Sequence, residues 1–576
     1  MGHRRKMQDG QVALAPKEVA ASKKARGAFF TPPSVAEFLV NWAVRSRDDR
    51  VLEPSCGEAA FLGPSARRLA KLGADSRSMS AQLFGVDIHE PSLDIAREIL
   101  GAYGVNANLH LGSFFSLDPP GGLLPSSIPE VDAVVGNPPF VRYQQFVGSE
   151  RARAQAAALR QGVSLNGLAS SWAALMVHAS AFLKPRGRLA MVLPAELLTV
   201  NYSEPIRRFL LDRFASVDLI HFKNLVFEDA LEDVVLLLAE GSGGCSSLTF
   251  HLVEAEEQLA TILDSPGSEV QAMGNKWTSL LMDPDVRDLF INLESEWFVD
   301  LSSYGAPELG NVTGANDFFT LRPSQVANLG LSPSDITRIS PPGTRHLKGL
   351  LFGARDWNHL AAANERVWLL TLKSKIGPSH PAWSLIVEGE AADLHLRYKC
   401  RIRDPWYCVP KVKVPDLFFT YMSHRFPKII ANTTGAGFLN SMHGITVTHQ
   451  RRVARATLPL LALNTITQLG AELAGRSYGG GILKMEPREA SRLPLPRPNL
   501  LVGAEDFVRS NRARLDRELR TGNWEVVVDT VDEFLLSSCL GVSPSEIQLL
   551  REGLRALRDR RLSRGSSNRK KEQLHH

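Results

Sequence analysis

The sequence predicts an α/β protein with a doubly wound, mostly parallel sheet, followed by a mixed α+β domain and terminal helices. Strand-like and helix-like patterns alternate from residue 51 to residue 240, which is typical of parallel strands joined by crossover helices. At Gly241 the chain becomes rich in Gly and Ser, and beyond about residue 290 the spacing of Gly, Pro and aromatic residues is irregular. A chain of 576 residues is too long for one core, so we expect two or three domains.

Composition and charge place the chain among cytoplasmic proteins. It is 44% hydrophobic and 22% charged, with a net charge of +5 that does not by itself indicate a nucleic-acid partner. The five cysteines are scattered without C-x-x-C spacing, so neither a disulfide framework nor a zinc site is indicated. No apolar run approaches the roughly 18 residues of a membrane span. We therefore expect no membrane association.

The chain begins with an arm and a helix. Residues 1–26 mix Lys, Arg, Ala and Gln without an apolar period, which predicts a flexible basic arm. Apolar residues then recur at positions 35, 38, 39, 42 and 43, which is the spacing of a helix. Thr31 or Ser34 is the expected cap, with a proline in the first turn.

Acidic residues end the first two predicted strands, Glu53 in VLEPSCG and Asp87 in GVDIHE. A small-residue turn after one strand and a carboxylate at the end of the next are how a doubly wound sheet binds an adenosine. The turn is not G-x-G-x-x-G, which argues against a nicotinamide dinucleotide. A carboxylate before the turn suits a ligand with an amine, so we expect S-adenosylmethionine. Either carboxylate alone is also compatible with a solvated strand end.

The strand that ends at Gly136 is followed by N-P-P-F, residues 137–140. The two prolines fix φ and lack an N–H, so Asn137 is held extended and the carbonyl of Pro138 is left as an acceptor. Phe140 can stack on a flat ring whose amino hydrogens are taken by the Asn137 oxygen and the Pro138 carbonyl. These are the needs of an enzyme that methylates an amino group. An ordinary strand-terminating turn is the alternative, because Asn-Pro and Pro-Pro are common turn dipeptides.

The second domain carries a basic and aromatic segment between residues 397 and 428. Cations interleaved with Trp, Tyr and Phe suit phosphate contact together with base contact or stacking. A solvated face over an aromatic core is the alternative. The basic residues that we expect to contact DNA are Arg397, Lys399, Arg401, Arg403, Lys411, Lys413, Arg425 and Lys428.

Taken in order, these motifs resemble those of the γ-class adenine-N6 DNA methyltransferases of restriction–modification systems. The matching segments are GAFFTPP, EPSCGEAAF, GVDIHE, NPPF, TGANDFF and YGGGILKMEP, from about residue 27 to residue 500. The resemblance implies a methyltransferase domain at 27–245, a connecting region at 246–290 and a specificity domain at 291–500. A helical segment with a basic tail would follow at 501–576.

The resemblance also implies which residues form the site. Catalysis would fall to Asn137, Pro138, Pro139 and Phe140, with the target base stacked on Phe140 and Phe227. The cofactor would be bound by Thr31, Glu53, Ser55, Cys56, Gly57, Asp87, Ile88, Ser113, Phe114 and Asn137. This chain departs from the family at Ala59, which replaces a usual glycine, and at Ser113, which stands where an Asp often holds the adenine amino group. Either Asp118 substitutes for that Asp, or Ser113 itself makes a weaker bond to the adenine.

The implied activity is transfer of a methyl group from S-adenosylmethionine to the N6 amino group of a flipped adenine in duplex DNA. It needs no metal and no covalent intermediate. A monomer would suffice, and a separately encoded restriction endonuclease or defence complex is a further partner of such enzymes. Methylation of cytosine at N4, of RNA or of a protein glutamine, and a DNA-binding specificity subunit without turnover, remain alternatives.

Overall fold

The structure is a computed structural model that describes residues 31–122, 126–141, 145–222, 234–264, 267–271 and 277–572, the side chains of residues 201, 271, 479 and 563–572 excepted. The chain forms two compact units, Met1–Leu280 and Leu281–His576. The arm predicted at 1–26 lies outside the described residues. Within the described part, no helix combines the length and the apolar character that crossing a membrane requires.

The first unit is organised around a nine-stranded sheet. Its strands are β1 (Val51–Glu53), β2 (Leu83–Asp87), β3 (Asn108–Leu111), β4 (Val131–Gly136), β5 (Leu183–Pro194), β6 (Ser216–Phe222), β7 (Val234–Glu240), β8 (Ser247–Val253) and β9 (Ser268–Gln271). They lie in the order β3-β2-β1-β4-β5-β7-β6-β8-β9. Neighbours from β3 to β5 are parallel, and β7 is antiparallel to both β5 and β6. The predicted doubly wound, mostly parallel sheet is confirmed.

Helices precede β1 and follow β1, β2, β4 and β5. They are α1 (Pro33–Ala43), α2 (Leu62–Lys71), α3 (Ser76–Gln82), α4 (Glu90–Gly101), α5 (Gly148–Arg160), α6 (Ser171–Ser180), α7 (Glu196–Thr199) and α8 (Glu204–Arg213). Parallel sheets need cover on both faces, and the successive residues Ala133, Val134 and Val135 of β4, whose side chains point to opposite faces, are all fully buried.

The strand order places the site. Strands β2 and β4 lie on opposite sides of β1, so the order reverses there. Ligands of doubly wound sheets bind at this point, beyond the carboxyl ends of the strands. Glu53 ends β1, Asp87 ends β2 and Asn137 directly follows β4. The three residues that the sequence marks therefore meet along one edge of the sheet.

Two expectations from the sequence differ from the structure here. The N-cap of α1 is Pro32 and carries no side-chain cap bond, so the expected cap at Thr31 or Ser34 is wrong, because the Thr31 hydroxyl is bonded to Asn137 instead. The predicted connecting region at 246–290 holds β8 and β9, which extend the sheet of the first unit.

The second unit combines four small sheets with helices. Its strands are β10 (Phe298–Asp300), β11 (Pro307–Leu309), β12 (Thr320–Leu321), β13 (Ile336–Arg338), β14 (Leu351–Phe352), β15 (Trp368–Leu370), β16 (Leu417–Phe419), β17 (Met422–Ser423), β18 (Ile429–Asn432), β19 (His443–Ile445), β20 (Arg476–Tyr478), β21 (Ile482–Lys484) and β22 (Pro494–Pro496). They pair as β10-β22, β11-β19-β16-β18-β14, β12-β15-β13 and β17-β21-β20. This confirms the mixed α+β class of the C-terminal part.

The helices of the second unit include those at its C-terminal end. They are α9 (Pro284–Trp297), α10 (Asn316–Phe319), α11 (Pro323–Leu329), α12 (Ala354–Ala362), α13 (Trp383–Ala391), α14 (Tyr398–Arg401), α15 (Arg451–Leu461), α16 (Thr465–Ala474), α17 (Pro487–Ser491), α18 (Pro498–Gly503), α19 (Glu505–Thr521), α20 (Trp524–Asp532) and α21 (Pro544–Glu572). Leu515, Val527 and Leu550 are fully buried in cores that also contain residues before 500. The segment predicted at 501–576 therefore packs into the second unit.

Candidate active site

Asn137 lies at the carboxyl end of β4, within reach of Thr31. Its amide nitrogen donates a hydrogen bond to Thr31 Oγ1 at 3.1 Å, which fixes the orientation of the amide plane. Its amide oxygen Oδ1 is buried and has no hydrogen-bond partner among the residues that the structure describes. Because an unpaired buried acceptor costs about 1–3 kcal/mol, Oδ1 is set to accept a hydrogen bond from a group that enters the site.

Ser171 holds the turn that follows Asn137. It is the first residue of α6 and is buried. Its hydroxyl donates to the carbonyl of Pro139 and accepts from the N–H of Val141 at 3.0 Å, while its own N–H donates to the Val141 carbonyl at 3.1 Å. These bonds fix the backbone after both prolines, and none of them involves the carbonyl of Pro138. Pro138 thus offers the second acceptor of the turn.

Of the two aromatic residues predicted to stack on the target base, the structure describes Phe140 alone. Phe140 is 7% exposed, so most of its ring packs within the unit. Phe227 lies outside the described residues. A stacking role for either ring therefore remains a prediction.

Asp87 joins the ends of β1 and β2. Its Oδ2 accepts from the N–H of Gly57 at 2.8 Å and its Oδ1 from the N–H of His89 at 2.8 Å. The N–H of Cys56 donates to the carbonyl of Val86 at 3.0 Å. The predicted cofactor turn is thus brought directly against the predicted ribose-binding carboxylate, with Ser55 half-buried beside it.

The turn keeps its shape although Ala59 replaces a glycine. Ala59 has φ of 62°, the left-handed region, which costs a residue with a side chain roughly 1–2 kcal/mol. Its N–H donates to the carbonyl of Cys56 at 2.8 Å and its carbonyl accepts from the N–H of Gly63 at 3.0 Å. These two bonds carry the chain from the turn into α2.

Glu53 is buried beneath this turn, 1% exposed. Its Oε2 accepts from the N–H of Leu62 at 2.9 Å and of Phe61 at 3.3 Å, at the start of α2. Burial raises the pKa of the Glu53 carboxyl well above its usual range, against the lowering effect of those two hydrogen bonds, and the nearby Asp87 charge adds to the rise. Burial likewise raises the pKa of the Cys56 thiol. A cationic ligand group would relieve this cost for Glu53.

Ser113 follows β3 and is joined to a carboxylate from another element. Its hydroxyl donates to Glu150 Oε1, in the first turn of α5. Asp118, considered from the sequence as the substitute for the missing family Asp, lies 3.7 Å from Arg160 in an ion pair. The acidic group beside Ser113 is therefore Glu150, which no motif in the sequence indicates.

Ile88 and Phe114, both predicted to bind the cofactor, differ in the exposure of their side chains. Ile88 is 68% exposed although it directly follows the buried end of β2. Phe114 is buried, with its ring centroid 4.9 Å from that of His178 and 5.2 Å from that of Phe182. Ile88 thus offers an apolar surface to a ligand ring, whereas the Phe114 side chain belongs to the core.

Stretches that the sequence marks in the C-terminal part come together within the second unit. Arg403 donates to the carbonyls of Val312 at 2.6 Å and Thr313 at 2.8 Å, and Asn316 Nδ2 donates to Asn440 Oδ1 at 3.0 Å. The β20–β21 hairpin of the YGGGILK segment pairs with β17. TGANDFF therefore shares one neighbourhood with the basic segment and with residues 432–445, while YGGGILK joins the basic segment through β17.

The eight basic residues predicted to contact DNA divide into two groups. Arg403 is engaged by the two carbonyls, Lys413 lies 2.5 Å from the Glu308 carboxylate, and Lys428 donates to the carbonyl of Leu347. The other five are exposed, and none forms an ion pair within the described ranges: Arg397, Lys399, Arg401, Lys411 and Arg425.

Two family models match the chain. The model described as N-6 DNA Methylase matches residues 16–258. The model described as the C-terminal domain of the Type II methyltransferase M.Eco57I matches residues 274–536. The first match contains the turn at Asn137, and the second contains the basic segment.

Two curated relatives align along most of their own length. The Type II methyltransferase M.AccI of Acinetobacter calcoaceticus is 21% identical over 81% of this chain and 84% of its own. M.XamI of Xanthomonas campestris pv. amaranthicola is 22% identical over 82% of this chain and 85% of its own. Among solved structures, the type IIG restriction endonuclease BpuSI matches 95% of this chain and 68% of its own, with 14% identity and a TM-score of 0.44.

Proposed function

The chain belongs to the N6-adenine DNA methyltransferases of Type II restriction–modification systems, and we propose that its own turn at Asn137 carries the transfer, with S-adenosylmethionine as the methyl donor. The observation that carries this proposal is the buried amide oxygen of Asn137, which has no hydrogen-bond partner among the residues that the structure describes.

The residues at the ends of β1, β2 and β3 fit the proposed cofactor. Asp87 and the backbone of the turn at Cys56 and Gly57 would hold the ribose, and Glu53 would face the amine of the methionine part. The exposed Ile88 would pack against the adenine ring, whose amino group finds acceptors in Ser113 and Glu150. S-adenosylmethionine supplies a methyl group that is already activated by a sulfonium.

The chain itself has to orient the target amine. The Asn137 oxygen and the Pro138 carbonyl would accept its two hydrogens, which draws the nitrogen toward tetrahedral geometry and aims its lone pair. Thr31 keeps the amide of Asn137 from rotating, because it accepts from the amide nitrogen and leaves the oxygen facing the target. Alignment is sufficient, since the methyl group needs no further activation.

Reaching the amine requires that the adenine leave the duplex. Flipping a base costs a few kcal/mol, and stacking on an aromatic ring returns about 1–3 kcal/mol per base. Phe140, and Phe227 if it lies opposite, would supply that stacking. The five exposed residues of the basic segment that form no ion pair within the described ranges would contact phosphates and fix the register on DNA.

The proposal also covers the oligomeric state, the cellular compartment and the partners of the enzyme. A monomer can modify one strand at a time, and the enzyme would act in the cytoplasm on duplex DNA. A restriction endonuclease or defence complex, separately encoded, would be its partner in the cell.

The test is transfer of labelled methyl groups to duplex DNA, RNA and a protein extract side by side, with Asn137→Ala and the matched control Asn106→Ala, an exposed asparagine outside the site. We expect adenine-N6 label in one short DNA motif, lost in Asn137→Ala with cofactor binding intact, and unchanged in Asn106→Ala. Label only in RNA or protein, or near-normal transfer by Asn137→Ala, would contradict the proposal.

A further inference from the structure

A cavity of about 350 Å³ in the second unit is lined by basic and hydroxyl side chains. Arg345 and Lys348 come from the loop before β14, Lys428 precedes β18, and Arg520 lies in the last turn of α19. The hydroxyls of the lining come from Thr344, Thr420, Ser423 and Thr521. The side chains of this lining are hydrogen-bond donors for a bound anion, except that the Thr521 hydroxyl already donates to the carbonyls of Arg517 and Glu518 in its own helix.

The charge inside the cavity is only partly compensated. Arg520 is paired, since its guanidinium lies 2.8 Å from Asp356 and 2.7 Å from Asp516. Arg345, Lys348 and Lys428 form no ion pair within the described part of the chain. Three cations without a carboxylate partner around one cavity favour an anionic ligand.

Lys428 is fixed where such a ligand would meet it. Its ammonium group lies 5.3 Å from the ring centroid of Trp524 and donates to the carbonyl of Leu347. Burial, together with the positive charge of Arg520, lowers the pKa of Lys428 to about 8. A bound anion would stabilise the charged form of this lysine.

We propose that this cavity is a phosphate-binding site, formed by Arg345, Lys348, Lys428 and the surrounding hydroxyls. A tetrahedral phosphate accepts hydrogen bonds on several oxygens at once, which matches donors that converge from three separate elements. The phosphate could come from the backbone of the DNA substrate or from a free phosphate compound. The first source rests on the proposed function, and the second does not.

The experiment uses the full chain with Arg345→Ala and Lys348→Ala, both exposed positions, and Arg555→Ala as a matched control, because Arg555 is an exposed arginine of α21 outside the cavity. Inorganic phosphate is titrated by calorimetry, and duplex DNA binding is measured from about 50 to 200 mM KCl. Loss of one phosphate contact lowers the slope of log affinity against log salt by about 0.9. Over that fourfold range, the deficit of the variant relative to the wild type shrinks about 3.5-fold.

We expect each cavity variant to weaken binding of inorganic phosphate about tenfold, as loss of one charged contact does, while Arg555→Ala does not. A reduced salt slope in the same variants identifies a DNA phosphate as the ligand; an unchanged slope with weakened phosphate binding identifies a free phosphate. Phosphate binding and salt slope both equal to those of the wild type would overturn the site. If the wild type binds no DNA, the proposed function fails, and the phosphate titration still decides the cavity.

Discussion

Replacing Ser171 by Ala should slow methyl transfer without weakening cofactor binding. The hydroxyl of Ser171 makes two hydrogen bonds to the turn, to the Pro139 carbonyl and from the Val141 N–H. Each is worth about 1 kcal/mol, so we expect about 2 kcal/mol of lost stability. The backbone bond from Ser171 to Val141 remains, so the turn shifts rather than unfolds. A misplacement near 1 Å costs up to about 100-fold in rate, and we expect kcat to fall by about 10- to 100-fold.

The matched control is Ser180→Ala, at the other end of the same helix. Ser180 is also buried, and among the described residues its hydroxyl bonds to the Val177 carbonyl alone, at 2.7 Å. The assay combines single-turnover methyl transfer, calorimetry with S-adenosylmethionine and denaturant unfolding of all three proteins. Ser180→Ala should keep its kcat. Wild-type kcat in a folded Ser171→Ala, or an equal loss in Ser180→Ala, would refute the role of Ser171 in holding the turn.

Three further predictions concern charge. Burial raises the pKa of Glu53, and a bound cation lowers it again. Binding of cationic S-adenosylmethionine should therefore release protons at a pH between the usual pKa of a glutamate and the raised one. Binding heats measured in buffers of different ionisation enthalpy should then differ for the wild type and agree for Glu53→Gln. Burial lowers the pKa of His178 from 6.5 to about 4, so between these pH values the unfolded chain binds a proton that the folded chain does not. The free energy of unfolding should therefore fall by roughly 3 kcal/mol in all as the pH drops through that window. His178→Phe should flatten this fall in denaturant titrations, and an unchanged fall would exclude His178 as its cause. Arg401→Ala should reduce the slope of log DNA affinity against log salt by about 0.9. Arg403→Ala removes hydrogen bonds to two carbonyls, so it should weaken DNA binding and leave that slope unchanged. Equal slopes for the two variants would contradict the separation of Arg401 from Arg403.

The part of the site that sequence could predict is the part carried by strand ends. Glu53, Asp87 and Asn137 each end or follow an apolar run, and parallel strands bring their carboxyl ends to one edge. Ser171 and Glu150 could not be found this way, because each reaches the site from a helix that lies more than 30 residues from its partner along the chain.

The same limit explains the misassigned elements. A short apolar run such as β8 is compatible with a strand in either domain, and only its pairing with β6 shows that it belongs to the first sheet. Among the eight predicted DNA contacts, sequence could not separate the exposed Arg401 from Arg403, since both lie in one basic stretch and differ only in which carbonyls are near.

Arg561, in the last helix, contacts residues that lie about 80 to 140 positions earlier in the chain and are therefore synthesised well before it. Its guanidinium lies 2.8 Å from the Glu472 carboxylate, and it donates to the carbonyl of His424 at 3.1 Å and to that of Gly481. Domains fold in order of synthesis, the N-terminal one first, and contacts across long sequence separations close late. A newly made chain should therefore complete its first sheet while α21 is still unmade, and its second unit should be the last part to fold.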